Sequence, residues 1–473
     1  MIPEASPRRG DEAAQRSQTQ RVIDRAAAAR AIPGNRVTLL QDGPAIYEAT
    51  LAMIAGANHF IHFENYIIRS DRTGWRFAEA LAARAREGLP VRVLYDWIGS
   101  IATSGRYWRF LREAGCEVRQ FNPPSLIRPL RLISRDHRKL VVVDGRESIV
   151  GGFCIGDEWA GDPARDIPPW RETALRIEGP ASPALDLAFA RLWGFSGAPL
   201  PAGERATEVQ PAGEAAVRVV VGEPGRQRAY RVLEYLAAGC RQRLWIVDAY
   251  LVPPRRLFEV LSLAESDGVD IRVLVPGSSD LPLVRNLTRL GYRDMLRAGL
   301  RIFEWTGPMI HAKTMVADGL WARVGTSNIN AASLIGNFEL DLVVEDAELA
   351  LAMEQQFRRD IGASVEVVRE ARRVARALSH VVPSRLARVT SEGTAPRRRG
   401  ARESREHVKL ATRQLATGAF RSPLGPSSLA LMALGILFMG LPQVMGYVLG
   451  GLCLWFALVL GLQAWRRRET AGN

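Results

Sequence analysis

The stretch His137-Arg138-Lys139-Leu140-Val141-Val142-Val143-Asp144-Gly145 returns in the second half of the chain as His311-Ala312-Lys313-Thr314-Met315-Val316-Ala317-Asp318-Gly319. Both read H-x-K-x4-D-G, and each Asp is followed at the same spacing by a glycine, Gly151 or Gly325. H-x-K sets His and Lys on one face of a strand, because side chains alternate along it. The mostly apolar residues after each Lys suit a strand entering a core, and Asp-Gly suits the turn that ends it. A neutral imidazole can act as nucleophile, its protonated form as general acid, and a lysine beside it as a compact cation for a phosphate oxygen. The two stretches are therefore expected to face each other and form one phosphodiester-handling site.

A solitary H-x-K is ordinarily a solvated strand end. Here the internal spacing repeats, and the chain almost never uses lysine. Of 63 Lys and Arg residues only Lys139, Lys313 and Lys409 are lysine, and two of them fall at equivalent places. Arg and Lys are not interchangeable at a tight phosphate site.

At 473 residues the chain can hold two or three domains, and a net charge of +13 points to acidic partners such as anionic lipid, phosphate-bearing substrates or nucleic acid. Cys116, Cys154, Cys240 and Cys453 are scattered without metal-ligand spacing, so neither a disulfide framework nor zinc is suggested, and no cofactor or metal is expected. Residues 1–35 read as a disordered or helical tail without a signal peptide.

From Arg36 short apolar runs alternate with helical patterns. Strands are expected at 37–40, 59–68, 91–95 and 117–121, with helices at 45–55, 75–86 and 108–114 between them. The order returns with strands at 217–221 and 243–250 and helices at 228–238 and 255–264. Gly88-Leu89-Pro90-Val91-Arg92-Val93-Leu94 also matches Gly268-Val269-Asp270-Ile271-Arg272-Val273-Leu274. This is a duplicated α/β unit. The expected fold is two α/β/α domains, each with its own central mixed sheet, over 36–205 and 206–363.

Each motif has a matched follower. Glu172 opens a strand over 173–177, and Glu339 one over 340–344. Either Glu could accept the remaining ring N–H of a motif His, so that each half-site has its own supporting Glu. Thr326, Ser327 and Asn328 supply short hydroxyl and amide donors after Gly325.

These residues resemble the phospholipase D superfamily, and more narrowly its bacterial cardiolipin synthase branch. The resemblance rests on the doubled motif, on G-G-F-C-I-G-D-E-W at 151–159, W-R-E-T at 170–173, G-T-S-N-I-N at 325–330 and N-F-E-L-D-L at 337–342. It implies metal-free, two-step phosphatidyl transfer with His137 as nucleophile and His311 as acid/base. Lys139, Lys313 and Asn328 would stabilise the phosphate charge. Asp144 and Asp318 complete the catalytic motifs, as organisers of the turns rather than as proton carriers. It implies phosphatidylglycerol, alone or with a second phospholipid, as substrate. The superfamily also includes nucleases, but much of the excess positive charge lies in the C-terminal linker, so no nucleic acid is expected. Cys154 departs from the pattern, since the family usually carries Asn there, as Asn328 does in the second copy. The spacing leaves the oligomeric state open.

Beyond residue 364 a basic amphipathic helix, beginning near Val365, and an Arg-rich linker are expected to 422. The linker suits an anionic bilayer. The stretch from Leu424 to Trp465 carries no charge and is broken by Gly440-Leu441-Pro442-Gln443. Two transmembrane helices are expected within 423–466, with a re-entrant hairpin as the alternative. Arginines at both ends place the catalytic domains on the cytoplasmic side of a bacterial inner membrane.

Overall fold

Each copy of the repeat builds seven strands in the same order. The computed structural model describes residues 19–125, 133–205 and 208–368. The first copy supplies β1 (Ile32–Gln41), β2 (Ile61–Asn65), β3 (Val91–Asp96), β4 (Glu117–Phe121), β5 (Lys139–Val143), β6 (Glu147–Gly151) and β7 (Thr173–Glu178). The second supplies β8 (Ala215–Gly222), β9 (Arg243–Val247), β10 (Asp270–Pro276), β11 (Arg301–Trp305), β12 (Thr314–Ala317), β13 (Trp321–Gly325) and β14 (Glu339–Glu345), and β15 (Ser364–Val367) follows.

The spatial order is β4-β3-β2-β5-β6-β7-β1-β8-β14-β13-β12-β9-β10-β11-β15. Either side of the β1–β8 seam the order is the same, so β5 matches β12 and β7 matches β14. Strands β2 to β4 run parallel and β5 to β7 antiparallel, and β9 to β14 repeat this mixture. Instead of a separate sheet for each half, the described residues form one 15-stranded sheet. Its seam is short: Ile32 pairs with Val217 and Asn35 with Ala215. Between them Gly34, at φ +87°, lets β1 swing to β7, which it follows from Arg36 to Gln41.

The apolar run of β5 divides by alternation. Leu140 and Val142 enter a central core shared by both halves, while Val141 and Val143 enter an outer core of the first half. Burial on both faces is why the strand reads as an unbroken apolar run. The central core is lined by helices Ser182–Phe195 and Ala347–Gly362, through Leu185, Phe189 and Trp193 on one and Leu349, Met353 and Phe357 on the other. The sequence reading placed neither helix. A third core packs helices Arg228–Gly239, Arg255–Ser266 and Pro282–Arg297 on the second half.

Within the expected N-terminal tail, residues 19–27 are helical and bury Ile23, Ala26 and Ala27 in this third core, and Ile32–Asn35 already belong to β1. Val365, expected to begin a basic helix, pairs instead with Glu304 as β15 runs along β11. An open edge of unpaired backbone groups overrides local helical spacing there. The rest of the basic linker and the proposed membrane helices within 423–466 lie outside the described residues. Among the described residues no helix is long and apolar enough to cross a membrane.

The turns after the motifs show what the two aspartates do. Asp144-Gly145 and Asp318-Gly319 all take positive φ, 54°, 63°, 53° and 64°, as a type I′ hairpin turn needs. The Asp144 carboxylate accepts the backbone N–H groups of Asn58, His59 and Phe60 at 2.9, 2.7 and 2.9 Å. Asp318 accepts those of Arg241, Gln242 and Arg243 at 2.9, 2.8 and 3.0 Å. Each Asp thus clamps the chain entering β2 or β9, at the end of its own strand away from the motif His and Lys. Four strand residues, or five steps along the chain, separate it from the Lys by roughly 16 Å. Grouped with the catalytic residues by the motif, both aspartates lie outside the reach of the imidazoles.

Asp144→Ala should therefore lower stability by about 2–4 kcal/mol, through lost charged hydrogen bonds and because alanine tolerates the left-handed region less well than aspartate. Thermal unfolding checks this. Turnover per folded molecule should stay within a few-fold of wild type, and a total loss of turnover in fully folded protein would contradict the structural role.

Candidate active site

The residues leading into β5 do not pair with their own half. Asp136 bridges to Phe338, ahead of β14. The His137 N–H donates to Phe338 O at 3.0 Å, and the Phe338 N–H to Arg135 O at 2.9 Å. The residues leading into β12 pair with those leading into β7: the His311 N–H donates to Arg171 O and the Arg171 N–H to Met309 O, both at 2.8 Å.

This interlock exchanges the supporting carboxylates. His137 Nδ1–H donates to Glu339 Oε2 at 3.0 Å, and His311 Nδ1–H to Glu172 Oε2 at 2.7 Å. The sequence reading gave each half its own Glu, whereas in the structure each Glu serves the opposite half. The reason is sheet geometry. Within its own half each Glu begins a strand two places from the motif strand, about 10 Å away, while the facing half brings the other imidazole into contact.

Both lysines are completely buried. Lys139 Nζ donates to His137 O at 2.7 Å and stands 5.0 Å from the centre of the Tyr66 ring. Lys313 Nζ donates to His311 O, lies 3.0 Å from His311 Nδ1 and stands 5.7 Å from the Tyr250 ring.

Burial sets the electrostatics. It is the largest influence holding the His137 imidazole below its ordinary pKa, against the pull of Glu339. His311 is pushed down to about 4, first by burial and then by the Lys313 cation. Each imidazole also feels the lysine of the other half. Burial lowers Lys313 to about 8. Glu172 is opposed by burial, but the His311 hydrogen bond and the nearby cations together hold it below the usual carboxylate range. With Nδ1–H committed to a carboxylate, each ring keeps the Nε2 lone pair for chemistry.

The half-sites are unequal. Glu339 also accepts Thr326 Oγ1–H at 2.6 Å and the Ser333 hydroxyl, while Glu172 accepts the backbone N–H of Thr173 at 2.9 Å. Arg171, buried, binds Asp360 Oδ1 and Oδ2 at 3.2 Å, whereas its counterpart Phe338 packs against Phe121 and Phe195. His311 is bordered by Trp159, Trp170 and Tyr250, His137 by Tyr66. Ser327 Oγ and Asn328 Oδ1 are buried without a hydrogen-bond partner, the condition of polar groups left for a ligand. Cys154 is a buried free thiol whose pKa burial raises, so it brings a neutral, weak donor where Asn328 brings a carboxamide.

The sequence reading singled out His137, Lys139, His311, Lys313, Glu172 and Glu339, and the structure gathers them. The same reading named Thr326 as a hydroxyl donor after Gly325, and the structure sets that hydroxyl on Glu339. It did not single out Arg171 or Ser333: Arg171 stood inside a recognised stretch as apparent filler, and Ser333 carried no signal of its own. Tyr66 and Tyr250, each at the end of an expected strand, were likewise given no role.

The described family of the cardiolipin synthase phospholipase D-like domain matches residues 50–158 and 234–361. The chain is 31% identical over 355 residues to cardiolipin synthase 2 of Bacillus anthracis, covering 73% of this chain and 68% of that protein. It is 31% identical over 385 residues to cardiolipin synthase A of Pseudomonas entomophila, covering 79% and 80%. The fold is shared with the solved phosphatidylserine synthase of Haemophilus influenzae, at TM-score 0.57 and 14% identity over 77% of this chain and 98% of that one. Carrying both histidine–lysine motifs and matching these proteins over most of its length, the chain belongs to the cardiolipin synthase family of the phospholipase D superfamily, a family of phosphatidyltransferase enzymes.

Proposed function

We propose that the protein transfers a phosphatidyl group between phospholipids and makes cardiolipin, from phosphatidylglycerol alone or with a second phospholipid. The observation that carries this is the crossed pair of imidazoles, each with Nδ1–H on a buried carboxylate and a buried lysine beside it. In the first step Nε2 of one His attacks phosphorus, the bond to the leaving alcohol breaks, and the other His protonates that alcohol. In the second, the same His takes the proton of the acceptor hydroxyl. The acceptor oxygen then displaces the phospho-histidine nitrogen. Lys139, Lys313 and Asn328 stabilise the equatorial oxygens throughout. Arrival of the phosphodiester anion favours the protonated form of the acid imidazole.

Following the family resemblance, His137 is the nucleophile and His311 the acid/base. The stronger depression of His311 favours the opposite assignment and supplies a second reading. The stretch 423–466 is proposed as two membrane helices holding the catalytic unit at the cytoplasmic face of a bacterial inner membrane, with the Arg-rich linker on anionic lipid. A hydrolytic phospholipase D is the competing activity, differing only in that water replaces the acceptor hydroxyl.

Purified protein in detergent with labelled phosphatidylglycerol, read by thin-layer chromatography, should give cardiolipin plus glycerol. Phosphatidic acid alone would establish hydrolysis instead. Unchanged lipid together with DNA cleavage would overturn the lipid reading.

A phosphatidyl ester of p-nitrophenol separates the roles, because its leaving group needs no proton. His311→Ala should release one equivalent of nitrophenol and stop, while His137→Ala should release none. Steady turnover of phosphatidylglycerol should fall more than about 10³-fold in both. A burst in His137→Ala alone exchanges the roles, and near-normal turnover in either variant contradicts a shared site.

A further inference from the structure

Exposed aliphatic side chains are not spread evenly over this fold. The ends of β2 to β4 and β9 to β11, and the starts of β5, β7, β12 and β14, form one end of the sheet, where the crossed His–Glu pairs meet. The segment leaving β3 exposes Ile98 and Ile101, the latter by 63%. The equivalent segment leaving β10 exposes Leu281 and Leu283, the latter by 73%. The loop before β7 exposes Ile167, and its counterpart before β14 exposes Ile335. Ile133, just ahead of β5, is 70% exposed. At the opposite end the loops 87–90, 144–146, 267–269 and 318–320 expose no large apolar side chain among the described residues, and Val368, past the end of β15, is the exposed exception.

Single exposed apolar residues need no explanation, but a pseudo-twofold set of them at the end that carries the crossed His–Glu pairs does. The Leu281–Leu283 segment is also tied to the site, because Tyr250, which borders His311 and Lys313, donates its hydroxyl hydrogen to Asp280 Oδ1 at 2.7 Å.

We propose that this end of the sheet is the membrane-docking face. Its aliphatic rim would enter the headgroup and upper acyl region of the bilayer, so that a phospholipid reaches the two imidazoles without leaving the lipid surface. The occupant is a lipid surface rather than a second copy or a protein ligand, for two reasons. The rim comes from both halves, at the end of the sheet where the proposed lipid substrate must reach the two imidazoles. Its members are also separate aliphatic tips on loops and short or starting helical turns, suited to a fluid layer and not to one rigid partner. The inference rests on the lipid-transferase reading, and one readout below is independent of catalysis.

Full-length protein reconstituted in phosphatidylglycerol/phosphatidylcholine vesicles would carry an environment-sensitive fluorophore on a cysteine at position 101 or 283, with position 263 on a lateral helix as control. Labels at 101 and 283 should shift to the blue and be quenched by doxyl-labelled lipid, and that at 263 should not. Equal, water-like emission at all three positions overturns the docking face, whatever the activity. Quenching of 101 and 283 that needs high protein density but no doxyl lipid would assign the face to a second copy and likewise overturn it.

The double variant Ile101→Glu/Leu283→Glu should lose roughly tenfold turnover per side chain withdrawn from lipid, on vesicles only. Turnover of monomeric short-chain phosphatidylglycerol should stay at wild-type level. Equal losses on both substrates overturn the proposal. Absence of lipid turnover in the wild type would instead sink the transferase reading and leave the label result to decide docking.

Discussion

The structure depends on two imidazole–carboxylate bonds that cross between the halves of a duplicated chain. Glu172 and Glu339 are buried, and a buried carboxylate is tolerable only when paired and hydrogen-bonded. Their partners, His311 and His137, belong to the other copy. Each half therefore carries a charge that the other must satisfy. The backbone bonds from His137 to Phe338 and from His311 to Arg171 hold the four groups in register. Neither half alone presents an oriented imidazole.

This arrangement explains the inequality of the half-sites. A reaction with one attacking group and one proton carrier has no need of symmetry. The second half holds its Glu with two hydroxyl groups and keeps Asn328, while the first holds its Glu with a backbone N–H and carries Cys154. Arg138 has no counterpart across the pseudo-twofold, where Ala312 stands. It fills buried space by donating to Glu339 O, Ala188 O and Gly222 O at 3.2, 3.1 and 3.3 Å. It thereby fastens the first motif to the strand that starts with the first motif's own carboxylate partner.

Much of the fold was legible because the repeat is strong. The alternating strands and helices of 36–121 and 217–264 appear within a few residues of their expected limits, and the doubled motif located His137, Lys139, His311 and Lys313. What stayed hidden depends on distance in the chain. Nothing local to Glu172 says that its imidazole lies beyond residue 300. Nothing local to Val365 says that the edge of β11 will recruit it as a strand. The single continuous sheet rests on Gly34 and two pairs at the seam, too little sequence to announce it. Asp144 and Asp318 show the converse, since a motif groups them with the site while their hydrogen bonds assign them to the turns.

The crossing of the carboxylates is open to direct observation in protein labelled with ¹⁵N only at its six histidines. In Glu172→Gln the ring nitrogen signals of His311 should move, with loss of the strongly hydrogen-bonded Nδ1–H, while those of His137 stay in place. Glu339→Gln should do the reverse. Movement of the His137 signals, with His311 unchanged, in Glu172→Gln would contradict the exchange of partners between the two halves.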